Sequence, residues 1–285
     1  MNHQLYIILP VHNRKDLTKA FIETLKKQTL QDFHLVLIDD GSTDGTIEVV
    51  EETITDFTLI KGNGNLWWGG ALHESYKWVK NNNIDPDAVI LMINDDTIID
   101  NDYLEKGMNI FKNRSRSILL SENFDKNTGE LIDIGFYINW KTLSISKQKK
   151  KDLVNCFSTR GLFLKAADYM EIGGFYPTLL PHYLSDLEFT YRAYKKGFDL
   201  HTDSSLKIFS SDETSGFRGF DHYRSFSKFL NHYMSKKNTT NPLHWMTFIT
   251  LSAPVLYIPH NLLRICTSAV VTISKTFYRI NIKHA

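Results

Sequence analysis

The chain reads as an α/β fold, a mostly parallel sheet flanked by helices, with an amphipathic helical tail. Three observations predict it. Short apolar runs alternate with amphipathic stretches four times before residue 97, the order that builds parallel sheets through right-handed crossovers. Most of these runs end in turns rich in Asp, Asn or Gly. After residue 222 the composition changes: residues 223–285 hold eight Lys and Arg and no Asp or Glu, leaving 25 basic against 32 acidic residues in positions 1–222.

Residues 5–9 form the first apolar run, stopped by Pro10, and residues 13–16 open an amphipathic helix that runs to about Gln28. The second run, 33–38, ends in Asp39-Asp40-Gly41-Ser42-Thr43-Asp44-Gly45-Thr46, and helical spacing resumes at Ile47. The third, 57–60, leads into GNGNLWWGGA and a helix to Asn81. The fourth, 89–93, is apolar throughout, as a strand buried on both faces is, and stops at Asn94-Asp95-Asp96. A helix over 102–112 follows, then strand-like segments at 117–120 and 131–138 and a polar loop or hairpin over 141–151. Residues 155–165 read as a strand in which Gly161 marks a close backbone approach. A short helix over 169–175 and an amphipathic helix over 184–196, closed by Gly197, complete this part.

Parallel strands place their following loops on one edge, so residues 10–14, 39–44, 63–70 and 94–96 should converge where open α/β sheets bind ligands. Paired carboxylates at such an edge repel unless a cation lies beside them, and a hard divalent ion with oxygen ligands is the simplest one. The local alternative is turn chemistry: residues 40–46 can form an Asx turn capping the next helix, with Asp44 doing only that. Trp67 and Trp68 carry two readings as well, stacking on a sugar or base beside Gly69 and Gly70, or one of them filling the core.

The tail becomes apolar at Leu243, but Pro254, Pro259 and Arg264 interrupt it, so it lacks the run of about 20 apolar residues that a simple span needs. On a helix, Leu262, Ile265, Cys266, Ala269, Val270, Ile273, Phe277 and Ile280 form one stripe, with Arg264, Ser268, Thr272, Lys275 and Arg279 opposite. Such a helix packs on the body or on a second copy in a homodimer, or lies in a membrane interface. The missing acidic residues favour an anionic membrane surface. Cys156 and Cys266 supply neither a disulfide framework nor a thiolate metal site, and the first residues lack the basic start of a signal peptide. The expectation is therefore one domain over 1–222 and a tail over 223–285, in a cytoplasmic protein peripheral to the inner face of the plasma membrane, with no nucleic-acid partner.

LPVHNR, LIDDGSTDGT, NDD and the acidic motif of HYLSDLEF occur in that order, and with them the chain resembles the family 2 glycosyltransferases of GT-A fold over about residues 3–220. GNGNLWWGGA, NDDT and HYLSDLEF are similar to the rhamnosyltransferase-like enzymes of bacterial surface polysaccharides. The resemblance implies an inverting transfer of a sugar, L-rhamnose from dTDP-rhamnose being the leading donor, to a glycan acceptor that is lipid-linked. It makes Asp96 the principal ligand of Mg²⁺ or Mn²⁺ and puts Asn94 and Asp95 near the donor ribose and sugar. Asp39 and Asp40 hold base and ribose, Pro10, His12 and Arg14 line the same pocket, and Asn65, Trp68, Gly69 and Gly70 join the donor side. Asp186 is the general base, with Glu188, His182 and Tyr183 toward the acceptor. The chain departs from the pattern at residues 206–216, LKIFSSDETSG, which hold no His where many such enzymes supply a further metal ligand. That departure keeps a second reading, a non-catalytic nucleotide-sugar-binding or scaffolding protein. A nucleotidyltransferase is disfavoured, because LPVHNRKD lacks the glycines of a phosphate loop.

Overall fold

The computed structural model describes residues 3–112, 114–211, 219–220 and 222–281. The amino-terminal half alternates as expected: β1 (Leu5–Val11), α1 (Lys15–Lys26), β2 (His34–Asp39), α2 (Thr46–Glu51), β3 (Phe57–Lys61), α3 (Trp67–Asn81) and β4 (Val89–Met92). These strands are parallel, in the order β3-β2-β1-β4. β1 and β4 are buried at every position because helices cover both faces. Alternation sorts their side chains: Tyr6, Ile8, Ile90 and Met92 pack with Ala71, Leu72 and Val79 of α3, and Leu5, Ile7, Leu9 and Leu91 with Phe21, Ile22 and Leu25 of α1.

The chain continues through β5 (Ile98–Ile99), α4 (Tyr103–Phe111), β6 (Ser117–Asp125), β7 (Leu131–Asp133), β8 (Phe136–Asn139), β9 (Ser144–Lys147), β10 (Leu162–Lys165), α5 (Ala166–Ile172), α6 (Ser185–Lys195) and β11 (Asp199–Ser210). The sheet extends as β4-β10-β6-β11-β5, with β10 antiparallel to both neighbours and β11 parallel to β6. Several boundaries differ from expectation for local reasons. The strand expected over 155–165 begins only at Leu162, because Gly161 turns the chain at φ +76. A Cβ there would stand 2.9 Å from the Tyr103 hydroxyl, so the close approach is real. Gly135, at φ +125, splits the segment 131–138, and the polar stretch after it folds into the β8–β9 hairpin. β11 escaped the sequence reading, since a register shift between Asp203 and Lys207 breaks its alternation.

The tail forms α7 (Phe226–Tyr233), α8 (Pro242–Ser252) and α9 (Ile258–Asn281). Asn241 starts α8 by accepting from the Leu243 N–H, with Pro242 in the first turn. Phe248 and Ile249 of α8 are fully buried among Trp140, Leu184 and Tyr191. α9 lies against α7 and α8, and the side chain of its buried Asn261 donates to the Trp140 carbonyl at 2.8 Å. Only part of the predicted stripe faces inward: Leu262, Ile265, Ala269 and Ile273 do, whereas Cys266, Val270 and Phe277 are exposed alongside Leu263 and Tyr278. Among the described residues, no helix is long and apolar enough to cross a membrane.

Candidate active site

The four loops meet at the carboxyl ends of β1 to β4, and the two carboxylates after β2 have different partners there. Asp40 accepts from the backbone N–H groups of Leu66 and Trp67, each at 3.0 Å, while His12 Nδ1 donates to its carbonyl at 2.6 Å. Both Asp40 oxygens therefore hold the start of α3. Asp39 accepts from the Ser42 N–H at 3.0 Å through Oδ2, but its buried Oδ1 has no hydrogen-bond partner among the described residues. That oxygen is the acceptor available to a base or ribose. Asp44 bonds the backbone N–H groups of Lys15 and Thr46, so the capping reading describes it; hydrogen bonds, first that of the Thr46 hydroxyl, hold its carboxyl below the usual range.

After β4 the chain runs into Asn94, Asp95 and Asp96. Arg14 Nε lies 2.9 Å from Asp95 Oδ1, and its Nη2 3.1 Å from Asp96 Oδ2. The Thr18 hydroxyl donates to the other Asp95 oxygen at 2.8 Å. With both oxygens engaged and the side chain buried, Asp95 positions Arg14. Burial pushes its carboxyl up, against the pull of Arg14 and Thr18. Asp96 Oδ1 and Asn94 Oδ1 remain without hydrogen-bond partners among the described residues. Two unsatisfied hard oxygens beside a neutralised carboxylate pair fit Mg²⁺ or Mn²⁺, and Asp96 with Asn94 would hold it.

The paired tryptophans divide. Trp68 is partly buried, packs against the core and donates from Nε1 to the buried Thr159 hydroxyl at 2.9 Å, so it is the core member of the pair. Trp67, at φ +60, donates to Asn65 Oδ1 at 2.9 Å and places its ring 5.5 Å from His182. Gly69 donates its N–H to the Pro181 carbonyl at 2.8 Å, and a Cβ on it would come within 2.6 Å of the Leu180 carbonyl oxygen. This glycine serves contact between α3 and the loop before α6. Gly70 is buried against Leu66, and Pro10 is buried within β1, opposite Ile38.

On the other side, Leu184 adopts φ +69 at the start of α6 and is its cap residue, so neither Ser185 nor Asp186 caps the helix. The Ser185 hydroxyl donates to the His182 carbonyl at 2.6 Å. Asp186 accepts from the Leu187 N–H at 2.9 Å, and burial pushes its carboxyl up to about 6 despite that bond and the positive charge of Arg160. A carboxyl titrating there is poised for proton removal near neutral pH. Glu188 is 2% exposed and pairs with Arg192 through two 2.9 Å contacts. Arg192 in turn donates to the carbonyls of Ile172 and Gly174, which braces α6 against the end of α5. The His182 and Tyr183 rings lie 4.3 Å apart with their planes tilted by 53°, and burial holds the His182 imidazole down to about 4, neutral at physiological pH. With Trp67, 5.5 Å from His182, they form an aromatic cluster just before α6.

Sequence reasoning missed the tail's contribution. Lys236 Nζ donates to Asn65 Oδ1 at 2.9 Å, and the amines of Lys236 and Lys237 stand 5.8 and 5.9 Å from the Trp67 ring centre. The basic composition of the tail is the only trace of this in the sequence. Of the segment 206–216 with its missing His, residues 212–216 lie outside the described residues.

A family model described as Glycosyl transferase family 2 matches residues 6–169. Glycosyltransferase GlyG of Streptococcus pneumoniae is 18% identical over 157 residues, 54% of this chain and 50% of that protein. Among solved structures, S. aureus TarS superposes with a TM-score of 0.61 at 15% identity, over 97% of this chain and 55% of that one; TarS has also been solved with UDP-GlcNAc. The mannosyltransferase PcManGT of Pyrobaculum calidifontis, solved with GDP-Man and Mn²⁺, gives 0.54 at 12% identity, over 100% of this chain and 89% of that one. The chain thus spans about half the length of GlyG and TarS, and the structural likeness shows a shared GT-A-like fold.

Proposed function

The chain belongs to glycosyl transferase family 2, and on that premise we propose that it transfers a sugar, with inversion, from a nucleotide-sugar donor to a surface-glycan acceptor presented at a membrane. The observation that carries this is the set of open oxygens of Asp39, Asn94 and Asp96 at the carboxyl ends of β2 and β4, joined through the Gly69–Pro181 contact to the segment that leads into Asp186 with its raised carboxyl. Asp186 takes the proton from the acceptor hydroxyl as its oxygen attacks the anomeric carbon and the bond to the diphosphate breaks. Arg14 orients the leaving diphosphate, and a divalent ion held by Asp96 and Asn94 would neutralise its growing charge. The TarS and PcManGT complexes support a nucleotide-sugar donor. A deoxysugar donor such as dTDP-rhamnose rests on the resemblance of GNGNLWWGGA and HYLSDLEF alone. The test incubates the protein with a panel of nucleotide-sugars and Mg²⁺ or Mn²⁺, following thermal shift and release of nucleotide in the presence of glycan acceptors. Binding with transfer is expected; binding without transfer to any acceptor supports the binding-module reading instead.

The tail supplies the membrane half of the reading. Val255 is 83% exposed, Leu256 81%, Leu263 61% and Val270 63%. Leu256, Leu263, Val270 and Phe277 recur every seven residues, so the last three share one side of α9, with Leu256 just before its start, among Arg264 and Lys275 and no acidic residue. An apolar strip flanked by cations suits the interface of an anionic bilayer. Truncating the tail at Leu243 would tear the buried Phe248 and Ile249 from the core, so point changes are the clean test. The wild type is expected to float with vesicles containing phosphatidylglycerol, less so at high salt, and the double variant Leu263→Glu, Val270→Glu to stay in the soluble fraction. Equal flotation of both would sink the membrane role.

A further inference from the structure

At the opposite edge of the sheet, where β1, β2 and β3 begin, the parallel register pairs Tyr6 with His34 and Leu35 with Phe57. It thereby brings together the residues that lead into three neighbouring strands. Among the described residues, one cluster offers metal-ligand atoms from three side chains within 4.8 Å of one another: His3, His34 and Asp56. The geometry points to a second divalent-cation site here, remote from the donor edge, built for a borderline ion such as Zn²⁺ from two imidazoles and one carboxylate.

Each imidazole already has one nitrogen held. His3 Nδ1 lies 2.9 Å from Asp32 Oδ1, the carboxylate–histidine pairing that orients a ring and raises the basicity of its other nitrogen. His34 Nε2 lies 2.8 Å from the Thr58 hydroxyl, and its Nδ1 faces Asp56 Oδ1 at 4.0 Å. The rings of His3 and His34 stack at 5.3 Å with 26° between planes. Ligand atoms of one tetrahedral zinc lie roughly 3.3 Å apart, so closure asks for a movement of about 1 Å, which the exposed Asp56 side chain can make by rotation. Two nitrogens and one carboxylate oxygen select zinc over magnesium or calcium, which take oxygen ligands. A bound ion would clamp the starts of three parallel strands.

Trp78 gives the site a reporter, since its ring stacks on His34 at 6.1 Å with 7° between planes. The experiment strips the full chain with chelator and titrates Zn²⁺, then Co²⁺, in the Asp96→Asn background so that the donor edge does not contribute. One equivalent is expected to bind, to raise the melting temperature, to change Trp78 emission, and with Co²⁺ to give the visible absorption of a tetrahedral or five-coordinate ion. Asp32→Asn should weaken binding about 10-fold, and His3→Gln or His34→Gln about 100-fold or more. His3 lies before β1, so His3→Gln keeps the test sound if His34→Gln misfolds. No stoichiometric binding, or binding unchanged by His3→Gln, overturns the site, as does binding present in the wild type and lost in Asp96→Asn.

Discussion

Asp186→Asn is expected to lose transfer by on the order of 10³-fold and yet to be more stable than the parent at neutral pH. The first effect follows from removing the group that accepts the acceptor's proton. The second follows from the same burial that makes Asp186 useful. Its carboxyl is pushed from 3.8 up to about 6 in the folded protein, so the folded state binds that proton more tightly than the unfolded chain does. Stability therefore falls as pH rises from about 4 to about 6 and stays lower above it. At pH 7 the ionised side chain costs on the order of 3 kcal/mol, which the neutral amide avoids. Denaturant unfolding of both proteins at pH 4 and pH 7.5 checks this: a gap at the higher pH that closes at the lower one is expected. In the parent, kcat/KM should climb with pH and level off above about 6. Transfer within tenfold of the parent would remove Asp186 from the role of base; equal stability at both pH values would show that its burial costs nothing.

Arg14→Gln should separate metal binding from catalysis, tightening the first while weakening the second. The guanidinium spans Asp95 and Asp96 at 2.9 and 3.1 Å and acts as the resident counter-charge of the pair. Without it, two adjacent carboxylates face each other unneutralised, and a divalent ion gains the attraction that Arg14 now takes. Mn²⁺ affinity, followed by calorimetry, is expected to rise several-fold. Transfer should fall about 100-fold, because a fixed cation beside the leaving diphosphate is lost. Folding should weaken by about 1–2 kcal/mol, since the buried Asp95 keeps only the Thr18 hydroxyl. Arg14→Lys should recover little, as a compact ammonium lacks the planar fork with which the guanidinium reaches both carboxylates at once. Weaker Mn²⁺ binding with unaltered transfer would mean that Arg14 neither competes with the ion nor assists the reaction.

The edge of the sheet was legible because three of the four apolar runs end in motifs rich in Asp, Asn or Gly, a pattern that needs only strand alternation and crossover handedness to become a site. What the motifs hide is the partner of each oxygen. Asp39 and Asp40 are neighbours in sequence, but one carboxyl turns back to Ser42 and the other reaches the start of α3, a choice made by a loop 22 or more residues away. Glu188 reads as a second acid at the acceptor side until Arg192, one helical turn on, is seen to take both its oxygens. Trp67 and Trp68 are likewise told apart by Thr159 and His182, both distant in the chain. The lysines over Trp67 come from more than 160 residues downstream, and no local signal announces them.

The contact of Gly69 with Pro181 has a consequence for how such a site can change. Backbone joins backbone there, with no room for a side chain between them, and Asp40 pins the same turn from below. The donor turn and the approach to Asp186 are therefore one rigid frame. If this edge binds the donor as proposed, lengthening either loop to fit a different sugar would dislodge the other, which leaves the side chains that the frame presents, Asn65 and Trp67 first among them, as the positions through which donor preference varies.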